Sequence, residues 1–312
     1  MKPFAFVFPG QGSQSVGMLD AWGDHPIVRR TLEEASSALS EDVGRLIREG
    51  PKEALDLTTN TQPVMLTAAI ACLNAWRAEG GPEPVAFAGH SLGEYSALVA
   101  AGALTLSDAL PLVRYRAQAM QEAVPVGTGA MAAILGLEAA VVQSICEDVA
   151  REVGGVVSPA NFNDPKQTVI AGAKAAVDAA CEKLKAAGAK RALPLPVSAP
   201  FHCALMKPAA DRLRERLAEV PMSAPRVPVV NNVDVAVQRE PAAIREALFR
   251  QAYGPVRWVE VVRALQARGA TAIVECGPGK VLAGLVKRID GTLATGTVLD
   301  PGSLAEWKGG LQ

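Results

Sequence analysis

Residues 89–93 read Gly-His-Ser-Leu-Gly, the pattern of a serine nucleophile held on a sharp turn between a strand and a helix. The preceding segment, Pro-Val-Ala-Phe-Ala at 84–88, predicts a short buried strand, and residues 94–101 have the apolar spacing of a helix. Because glycine has no Cβ, the two elements can approach closely and hold Ser91 in a strained, exposed corner. The alternative is a chance match in an ordinary tight turn. The strand before it and the helix after it favour the nucleophile.

A nucleophilic serine needs a base, and the chain contains only three histidines. His90 adjoins the serine, and neighbouring side chains on such a turn diverge. His25 lies in a polar Gly-Asp-His-Pro turn, where we expect a structural or solvent-facing role. His202 is left as the candidate base, in a loop just before an amphipathic helix predicted over residues 205–219. The alternative for His202 is a half-buried structural histidine, and no acidic third member of a triad is evident.

The order of elements predicts an α/β fold with an inserted unit. Residues 130–195 predict the order strand, helix, strand, strand, helix, strand, which is that of a ferredoxin-like unit. We therefore expect a discontinuous α/β core of residues 1–126 and 197–312, a small subdomain at 127–196, and a cleft between them. In the core, strands are predicted at 4–8, 84–88, 227–231 and 271–276, and helices near 26–39, 64–78, 94–101, 108–122, 205–219, 241–251 and 258–267.

Composition restricts the possible partners. The net charge is −1 and the chain has 312 residues, which implies no general affinity for nucleic acid or an anionic membrane. The longest apolar run, near residues 97–106, is too short to span a bilayer. The five cysteines show no Cys-x-x-Cys motif and are expected to be small core residues. The sequence is therefore typical of a cytoplasmic enzyme.

A second loop of interest, Gly10-Gln11-Gly12, follows the first predicted strand. A dinucleotide-binding loop of the form G-x-G-x-x-G would need a further glycine where this chain has Ser15. We interpret the loop as a tight turn whose backbone N–H groups lie beside the serine. The N–H groups of Gln11 and Leu92 would then be the two donors of an oxyanion hole, and a purely structural turn is the alternative.

Arg116 is predicted to lie within the apolar face of the helix near 108–122. A buried guanidinium needs an anionic partner, because an unpaired buried charge is strongly destabilising. No acidic residue is evident one helical turn away on this face. The partner is therefore either an acidic side chain from elsewhere in the chain or a carboxylate of the substrate, which the planar guanidinium can bind in a bidentate manner.

Several stretches of the chain match one known family in the family's own order and over essentially all 312 residues. They are Phe-Pro-Gly-Gln-Gly-Ser-Gln (8–14), Thr-Gln-Pro (61–63), Gly-His-Ser-Leu-Gly-Glu-Tyr (89–95), Arg116, Asn161, Val-Ser-Ala-Pro-Phe-His (197–202) and Gly-Pro-Gly-Lys (277–280). In these stretches the chain resembles the malonyl-CoA:acyl carrier protein transacylases. The resemblance implies an α/β-hydrolase-like core that carries a ferredoxin-like insert, in agreement with the division above.

The resemblance also implies catalytic roles. Ser91 is the residue that is acylated, and His202 is its base. Gln11 and Leu92 supply the N–H groups of the oxyanion hole. The family orients the histidine with a backbone carbonyl instead of an aspartate, and Gln251 occupies the matching position. This would explain why no acidic third member is evident.

For the substrate, the resemblance implies that Arg116 binds the malonyl carboxylate and that Gln62 and Asn161 belong to the same site. Phe201 precedes the histidine, where several stand-alone relatives have serine. In related polyketide acyltransferase domains a phenylalanine here accompanies malonyl, and serine accompanies the branched methylmalonyl unit. A bulky ring beside the α-carbon of the acyl group would crowd a branching methyl, so the steric argument agrees with this pattern.

The implied reaction moves a malonyl group from malonyl-CoA to the phosphopantetheine thiol of an acyl carrier protein, with no metal or redox cofactor. It suits fatty-acid and polyketide synthesis equally. Two alternatives are a serine esterase or thioesterase, in which water is the acceptor, and a non-catalytic carrier-docking module. Acyl carrier proteins are acidic, so attraction would need a basic patch at the rim of the cleft, formed by Lys185, Lys190, Arg191, Lys207, Arg212 and Lys280. The alternative is that these residues are scattered over a solvated surface.

Overall fold

The computed structural model describes residues 2–197 and 199–311, so Ser198 of the segment before His202 lies outside the described residues. The described part of the chain forms one five-stranded and one four-stranded sheet. The strands are β1 (Phe4–Phe8), β2 (Ala86–Gly89), β3 (Gly129–Leu135), β4 (Val157–Asp164), β5 (Gln167–Ala173), β6 (Arg191–Pro194), β7 (Val229–Val230), β8 (Ala272–Cys276) and β9 (Ala294–Val298).

Helices cover both sheets. The α-helices are α1 (Pro26–Leu39), α2 (Val43–Glu49), α3 (Lys52–Leu55), α4 (Thr58–Ala78), α5 (Gly93–Ala100), α6 (Leu106–Glu122), α7 (Ala139–Val153), α8 (Lys174–Ala186), α9 (Lys207–Glu219), α10 (Pro241–Tyr253), α11 (Trp258–Ala267), α12 (Val281–Ile289) and α13 (Pro301–Gly310). Short 3₁₀ helices lie at Asp20–Trp22 and Ala204–Met206.

The larger sheet is parallel, with the strand order β7-β2-β1-β8-β9. Its central strand β1, Phe-Ala-Phe-Val-Phe, is buried along its whole length. Phe4, Phe6 and Phe8 face a core shared with α4, whereas Ala5 and Val7 face the core formed with α11 and α12. Strands of a parallel sheet are buried on both faces, so their sequences are continuously apolar rather than alternating.

The smaller sheet is antiparallel, with the strand order β4-β5-β3-β6. Helices α7 and α8 pack against it and form an apolar core separate from that of the larger sheet. Its elements follow one another in the order strand, helix, strand, strand, helix, strand. The protein is therefore a mixed α/β fold with a parallel sheet and a separate antiparallel sheet.

The parallel arrangement brings three functional loops to one edge of the larger sheet. Loop 10–12 follows β1, the turn around Ser91 follows β2, and loop 277–280 follows β8. Because the carboxyl ends of parallel strands share one edge, all three loops meet there. A Cβ placed on Gly279 would lie 3.0 Å from the Cβ of Ser13, so the third loop packs against the first.

The turn after β2 is so tight that both of its glycines are required. A Cβ on Gly89 would lie 1.9 Å from the carbonyl carbon of Gly93, and a Cβ on Gly93 would lie 2.0 Å from the carbonyl oxygen of Phe8. In both cases the obstacle is backbone, which cannot move aside as a flexible side chain can. The close approach expected from the sequence is therefore present.

Some helix and strand bounds differ from the sequence prediction. Helix α4 begins at Thr58 rather than near 64, and it contains Pro63. Its first turn is fixed to the preceding segment because the hydroxyl of Thr61 donates to the carbonyl of Leu55 at 2.7 Å. The sequence analysis also predicted no element beyond residue 276, where α12, β9 and α13 are found, and it missed the short helices α2 and α3.

No helix in the described ranges has the length and apolar character needed to cross a bilayer.

Candidate active site

Two residues at the edge of the parallel sheet have left-handed backbone conformations that side chains rarely adopt. The φ angle is +52° at Ser91 and +61° at His202. A conformation of this kind costs about 1–3 kcal/mol and persists only where the surrounding structure enforces it. The two residues that sequence analysis paired as nucleophile and base are therefore both held in strained positions.

The structure brings these two side chains into contact. Ser91 Oγ lies 2.7 Å from His202 Nε2. The other ring nitrogen, Nδ1, lies 2.9 Å from the carbonyl oxygen of Gln251 and 3.2 Å from that of Gly254. Carbonyl oxygens only accept hydrogen bonds, so Nδ1 carries the proton and Nε2 presents its lone pair to the serine hydroxyl. Backbone carbonyls thus stand where an aspartate stands in a Ser-His-Asp triad.

The imidazole of His202 is held in its neutral form. Burial, together with the positive charge of Arg116, lowers the pKa of His202 to about 3, although the two carbonyl acceptors act in the opposite direction. A general base must be unprotonated to accept a proton. The local environment therefore keeps this histidine in the neutral form that a general base requires.

The other histidines lie apart from this pair. His90 Nε2 is 2.8 Å from Asn163 Oδ1, and the His90 ring packs on Trp258 with the centroids 5.5 Å apart. His25 precedes α1 and packs edge-on against Trp22. Among the histidines in the described part of the chain, His202 is the one within hydrogen-bond distance of Ser91 Oγ.

Arg116 is buried beside the nucleophile, on the apolar face of α6. Its guanidinium donates to Gln62 Oε1 at 2.8 Å, to Gln251 Oε1 at 3.1 Å and to Ser91 Oγ at 3.1 Å. It also lies over the ring of Tyr95, 5.4 Å from the centroid. All three hydrogen-bond acceptors are neutral, so the charge of the guanidinium is solvated by dipoles rather than by an anion.

Within residues 2–197 and 199–311, Arg116 forms no ion pair. Burial lowers the pKa of Arg116 from its usual value, and Tyr95 and Glu94 act in the opposite direction. Of the two partners that the sequence analysis considered, an acidic side chain in direct contact is thus absent from the described part of the chain. The cation remains available to an anionic ligand.

The nucleophile opens into a cleft of about 720 Å³. Residues from both sheets and from the loops between them line it: Gln11, Gly12, Gln14, Lys52, Asp56, Gln62, His90, Ser91, Leu92, Arg116, Met131, Asn161, Leu195, Pro196, Val197, Phe201 and His202. Every substrate or oxyanion residue predicted from the sequence is in this set. Gln251 is not, because it is fully buried behind the histidine.

Both residues expected to supply oxyanion donors line the cleft together with the serine. The first turn of α5 is closed by backbone hydrogen bonds at 2.9 to 3.1 Å. The N–H groups of Gly93, Glu94 and Tyr95 each donate to the carbonyl three positions earlier. Leu92 is the N-cap of this helix, so its own N–H precedes the bonded turn and has no helical acceptor. Gln11 lies in the exposed loop opposite, where its side chain donates to Thr58 Oγ1 at 3.3 Å.

Strand β4 connects the smaller sheet to the active site. The backbone N–H of Phe162 donates to the carbonyl of Val256, and the N–H of Val256 donates to the carbonyl of Ala160, both at 2.9 Å. Asn161 lies between these two bonds and lines the cleft. Phe201, half-buried, packs in the apolar cluster between the sheets and also lines the cleft.

Sequence analysis missed two buried residues that contact this site. Glu94 accepts hydrogen bonds from Gln251 Nε2 at 3.0 Å and from the backbone N–H of Asn232 at 2.9 Å. The side chain of Asn232 bonds to the backbone N–H of Ser91 and to the carbonyl of Gly89, the two groups that flank His90. Glu94 lies within the quoted 89–95 motif and could have been questioned as a charged residue in an apolar helix, whereas no local pattern singles out Asn232.

Comparison with known proteins gives a consistent result. The family model for the acyl transferase domain matches residues 5–293. The malonyl CoA-acyl carrier protein transacylase of Salmonella typhimurium is 56% identical over 306 residues, 98% of each chain. The crystal structure of acyl-carrier-protein S-malonyltransferase from Burkholderia pseudomallei is 63% identical with a TM-score of 0.97, covering 99% of this chain and 100% of that chain.

Another solved structure shows a malonyl-transacylase in complex with the acyl carrier protein of a type II polyketide synthase. That transacylase is 50% identical to this chain with a TM-score of 0.97, and the match covers 99% of this chain and 100% of that chain.

A serine on a strand-to-helix turn, hydrogen-bonded to an oriented imidazole in a cleft, is the arrangement of enzymes that form covalent acyl intermediates. The chain belongs to the acyl transferase domain family and, within it, to the malonyl-CoA:acyl carrier protein transacylases. The resemblance drawn from the sequence motifs is thus confirmed.

The low pKa of His202 predicts an unusual pH profile. We expect the rate at which an uncharged fluorophosphonate labels Ser91 to show no decline near pH 6.5, where an ordinary histidine titrates. Because the His202 pKa is lowered to about 3, the base form persists as the pH falls to about 5. Replacing the nearby cation, in Arg116→Gln, should move the acidic limb of the profile to higher pH.

The Glu94→Gln variant serves as the control. Burial raises the pKa of Glu94 to about 7, so this carboxyl also titrates in the tested range and would confuse the profile. A decline near pH 6.5 that remains in Glu94→Gln would contradict the lowered pKa of His202.

Proposed function

We propose that this protein transfers a malonyl group from malonyl-CoA to the phosphopantetheine thiol of an acyl carrier protein, through a malonyl-serine ester on Ser91. The observation that carries the proposal is the position of Arg116. Its buried guanidinium lies 3.1 Å from Ser91 Oγ and has only neutral hydrogen-bond acceptors among the described residues. A cation at that distance from the nucleophile suits an acyl group that ends in a carboxylate.

In the first half-reaction, the malonyl carboxylate pairs with Arg116 and displaces its neutral acceptors. His202 Nε2 takes the proton of Ser91 Oγ, which attacks the thioester carbonyl. The N–H groups of Gln11 and Leu92 stabilise the oxyanion that forms. The carbon–sulfur bond then breaks, the proton passes from His202 to the departing sulfur, and free CoA leaves the malonyl-serine ester.

The second half-reaction runs the same steps with a different thiol. His202 takes the proton of the phosphopantetheine thiol, and the sulfur attacks the ester carbonyl of the malonyl-serine. The same two N–H groups hold the second oxyanion. When the carbon–oxygen bond breaks, the proton returns to Ser91 Oγ, so the free enzyme is restored without any net redox change. An esterase would use water in this step, an outcome that the similarity to named transacylases does not favour.

The acyl group is further selected by the residues around the nucleophile. Gln62 accepts a hydrogen bond from Arg116 and so fixes the direction of the guanidinium. Asn161 offers a side-chain amide, which can both donate and accept hydrogen bonds, to the polar part of the thioester. Phe201 places an aromatic ring at the cleft wall, which favours the unbranched malonyl unit over methylmalonyl.

For the fold, we propose an α/β-hydrolase-like core of residues 1–126 and 197–312 with a ferredoxin-like insert at 127–196. The division is supported by the separation of the sheets, since every strand of the parallel sheet lies outside 127–196 and every antiparallel strand lies inside it. The strand order β4-β5-β3-β6, with two helices packed against the sheet, also supports the ferredoxin-like assignment.

We also propose a cytoplasmic location. All five cysteines are free and buried. Unpaired thiols are typical of proteins that work in a reducing compartment.

The basic patch expected from the sequence is reduced by the structure to three residues. Lys185 pairs with Glu182, Lys207 with Asp211 and Arg212 with Glu122, so these charges are locally neutralised. The other three, Lys190, Arg191 and Lys280, are exposed and have no ion pair within the described ranges. We propose that these three attract the acidic carrier protein.

Acyl-enzyme formation tests the proposed function directly. Brief incubation with malonyl-CoA should raise the intact mass of the protein by one malonyl group, because the ester on Ser91 accumulates until a carrier thiol arrives. Ser91→Ala should abolish the mass shift. Ser96→Ala is the matched control, since Ser96 is a buried serine on α5 that does not line the cleft. Labelling that persists in Ser91→Ala would show that the nucleophile lies elsewhere.

Arg116 should determine selectivity for carboxylated acyl groups. Arg116→Ala should lower kcat/KM for malonyl-CoA about tenfold to a hundredfold, the range that a charge-assisted hydrogen-bonded pair corresponds to. Turnover of acetyl-CoA, which has no such carboxylate, should stay level or rise. Arg116→Lys should recover little of the kcat/KM for malonyl-CoA that Arg116→Ala loses, because an ammonium group cannot reproduce the planar, two-pronged geometry of a guanidinium.

The matched control on the same helix is Arg114→Ala. Arg114 pairs with Glu41 and does not line the cleft, so its loss should leave the malonyl-to-acetyl ratio of kcat/KM unchanged. If that ratio does not fall in Arg116→Ala, the malonyl assignment loses its main physical support.

Carrier recognition should depend on the unpaired basic residues. The double variant Lys190→Glu, Arg191→Glu should raise the KM for carrier protein and leave the KM for malonyl-CoA unchanged. The comparison variant Lys185→Glu, Lys207→Glu carries the same change in net charge at positions that are already paired, and its effect should be smaller. Equal effects would indicate a general response to net charge rather than a docking patch.

A further inference from the structure

The turn that carries Ser91 is bridged by a side chain from a distant part of the sequence. Asn232 Oδ1 accepts the backbone N–H of Ser91 at 2.7 Å, and Asn232 Nδ2 donates to the carbonyl of Gly89 at 2.7 Å. Asn232 has no solvent-exposed surface. One primary amide therefore satisfies the two backbone groups that flank His90, on the N-terminal side of the Ser91 side chain.

The bridge occurs where regular strand pairing stops. Strand β7 pairs in parallel with β2 through Phe87 with Val229 and Ala88 with Val230. Beyond these pairs β2 turns sharply into α5, and the backbone of the neighbouring chain cannot follow it. The side chain of Asn232, just past the end of β7, supplies the two hydrogen bonds that the backbone no longer makes.

Asn232 is itself fixed by a buried carboxylate. Its backbone N–H donates to Glu94 Oε2 at 2.9 Å, and Glu94 is only 2% exposed. Glu94 lies in the first turn of α5, and its Oε2 can accept this bond whether or not the other carboxyl oxygen is protonated. Its backbone N–H bonds to the carbonyl of Ser91 at 3.1 Å, so the carboxylate is tied to the same turn that Asn232 bridges.

The same carboxylate oxygen also holds Gln251. Gln251 Nε2 donates to Glu94 Oε2 and to the carbonyl of Ser91, each at 3.0 Å. Gln251 Oε1 accepts from Arg116, and the Gln251 carbonyl oxygen accepts from His202. Glu94 thus connects the bridge over the nucleophile to the residue that orients both the base and the cation.

We propose that Asn232, anchored by Glu94, is a positioning residue that holds Ser91 in its left-handed conformation, with Oγ directed at His202 Nε2. The amide occupies the Ser91 N–H and the Gly89 carbonyl, so the turn cannot relax to an unstrained backbone, and the neighbouring N–H of Leu92 stays directed towards the cleft. Without the bridge, Ser91 would relax and its hydroxyl would leave the line of proton transfer. The reaction in which this is measured rests on the proposed function.

The test is single-turnover acylation of Asn232→Ala by malonyl-CoA, followed by quenched-flow mass spectrometry well below each variant's unfolding temperature. The maximal acylation rate should fall about 10- to 100-fold, the factor that two ordinary hydrogen bonds correspond to. The malonyl-CoA concentration that gives half the maximal rate should stay within about twofold of wild type. Loss of a purely structural residue would lower the unfolding temperature, but it would not lower the maximal rate while leaving the half-saturating concentration of malonyl-CoA unchanged.

Asn231→Ala is the matched control. Asn231 precedes Asn232 and is also buried, but its Oδ1 accepts the N–H of Asp234, and its side chain does not contact the serine turn. This variant should acylate within about twofold of wild type. If Asn231→Ala slows acylation as much as Asn232→Ala, or if Asn232→Ala acylates at the wild-type rate, the proposal is wrong.

Two further variants keep the test decisive if Asn232→Ala does not fold. Asn232→Asp has nearly the same shape and keeps an acceptor for the Ser91 N–H, but it loses the donor to Gly89, so it should acylate about tenfold more slowly. Glu94→Gln keeps an oxygen that can accept both bonds and should stay within about threefold of wild type, whereas Glu94→Ala should resemble Asn232→Ala. Wild-type rates in Asn232→Asp and Glu94→Ala would overturn the proposal.

Labelling of Ser91 by an uncharged fluorophosphonate separates this inference from the proposed function. The reagent needs the positioned serine and histidine but not a malonyl site. If wild-type protein reacts with the phosphonate and is not malonylated, the proposed function is wrong, and the same ranking of variants can still be read from the phosphonylation rates. If phosphonylation is equally fast in wild type and Asn232→Ala, the positioning role is wrong.

Discussion

The close contact between β2 and α5 is the constraint on which the rest of the site depends. A Cβ on Gly89 would lie 1.9 Å from the carbonyl carbon of Gly93, so strand and helix can meet only where no side chain intervenes, and the serine between them takes a left-handed conformation. That strained turn directs the hydroxyl away from the sheet and leaves peptide groups that regular strand pairing cannot satisfy. The buried polar residues behind the turn follow from this requirement, since unpaired polar groups in the interior are strongly unfavourable.

In the proposed mechanism, Arg116 acts in two ways at different stages of the reaction. In the free protein its charge lowers the pKa of the neighbouring imidazole, so the base is neutral before substrate arrives. Once a carboxylate binds, it compensates the charge of Arg116. The repulsion between Arg116 and a protonated His202 is then weaker at the stage when His202 must accept a proton. The same guanidinium therefore ties substrate binding to the proton affinity of the base.

The sequence predicted those parts of the site that are encoded locally. The Gly-x-Ser-x-Gly turn could be found because its glycines are close in sequence, His202 because the chain has so few histidines, and Arg116 because a charge interrupts an apolar helical face. Asn232 and the carbonyl of Gln251 could not be found in this way. The first acts through a contact across 141 positions of the chain, and the second acts through a backbone atom that every residue possesses. Strand β9 escaped prediction because its sequence, Ala-Thr-Gly-Thr-Val, lacks the continuous apolar run of the other parallel strands, although it pairs with the neighbouring β8.

The backbone bridge between β4 and Val256 links the two sheets mechanically. Val256 follows closely on Gly254, whose carbonyl shares the His202 proton with Gln251. The attachment of the smaller sheet to the core and the orientation of the imidazole therefore depend on one short stretch of backbone, residues 254–256.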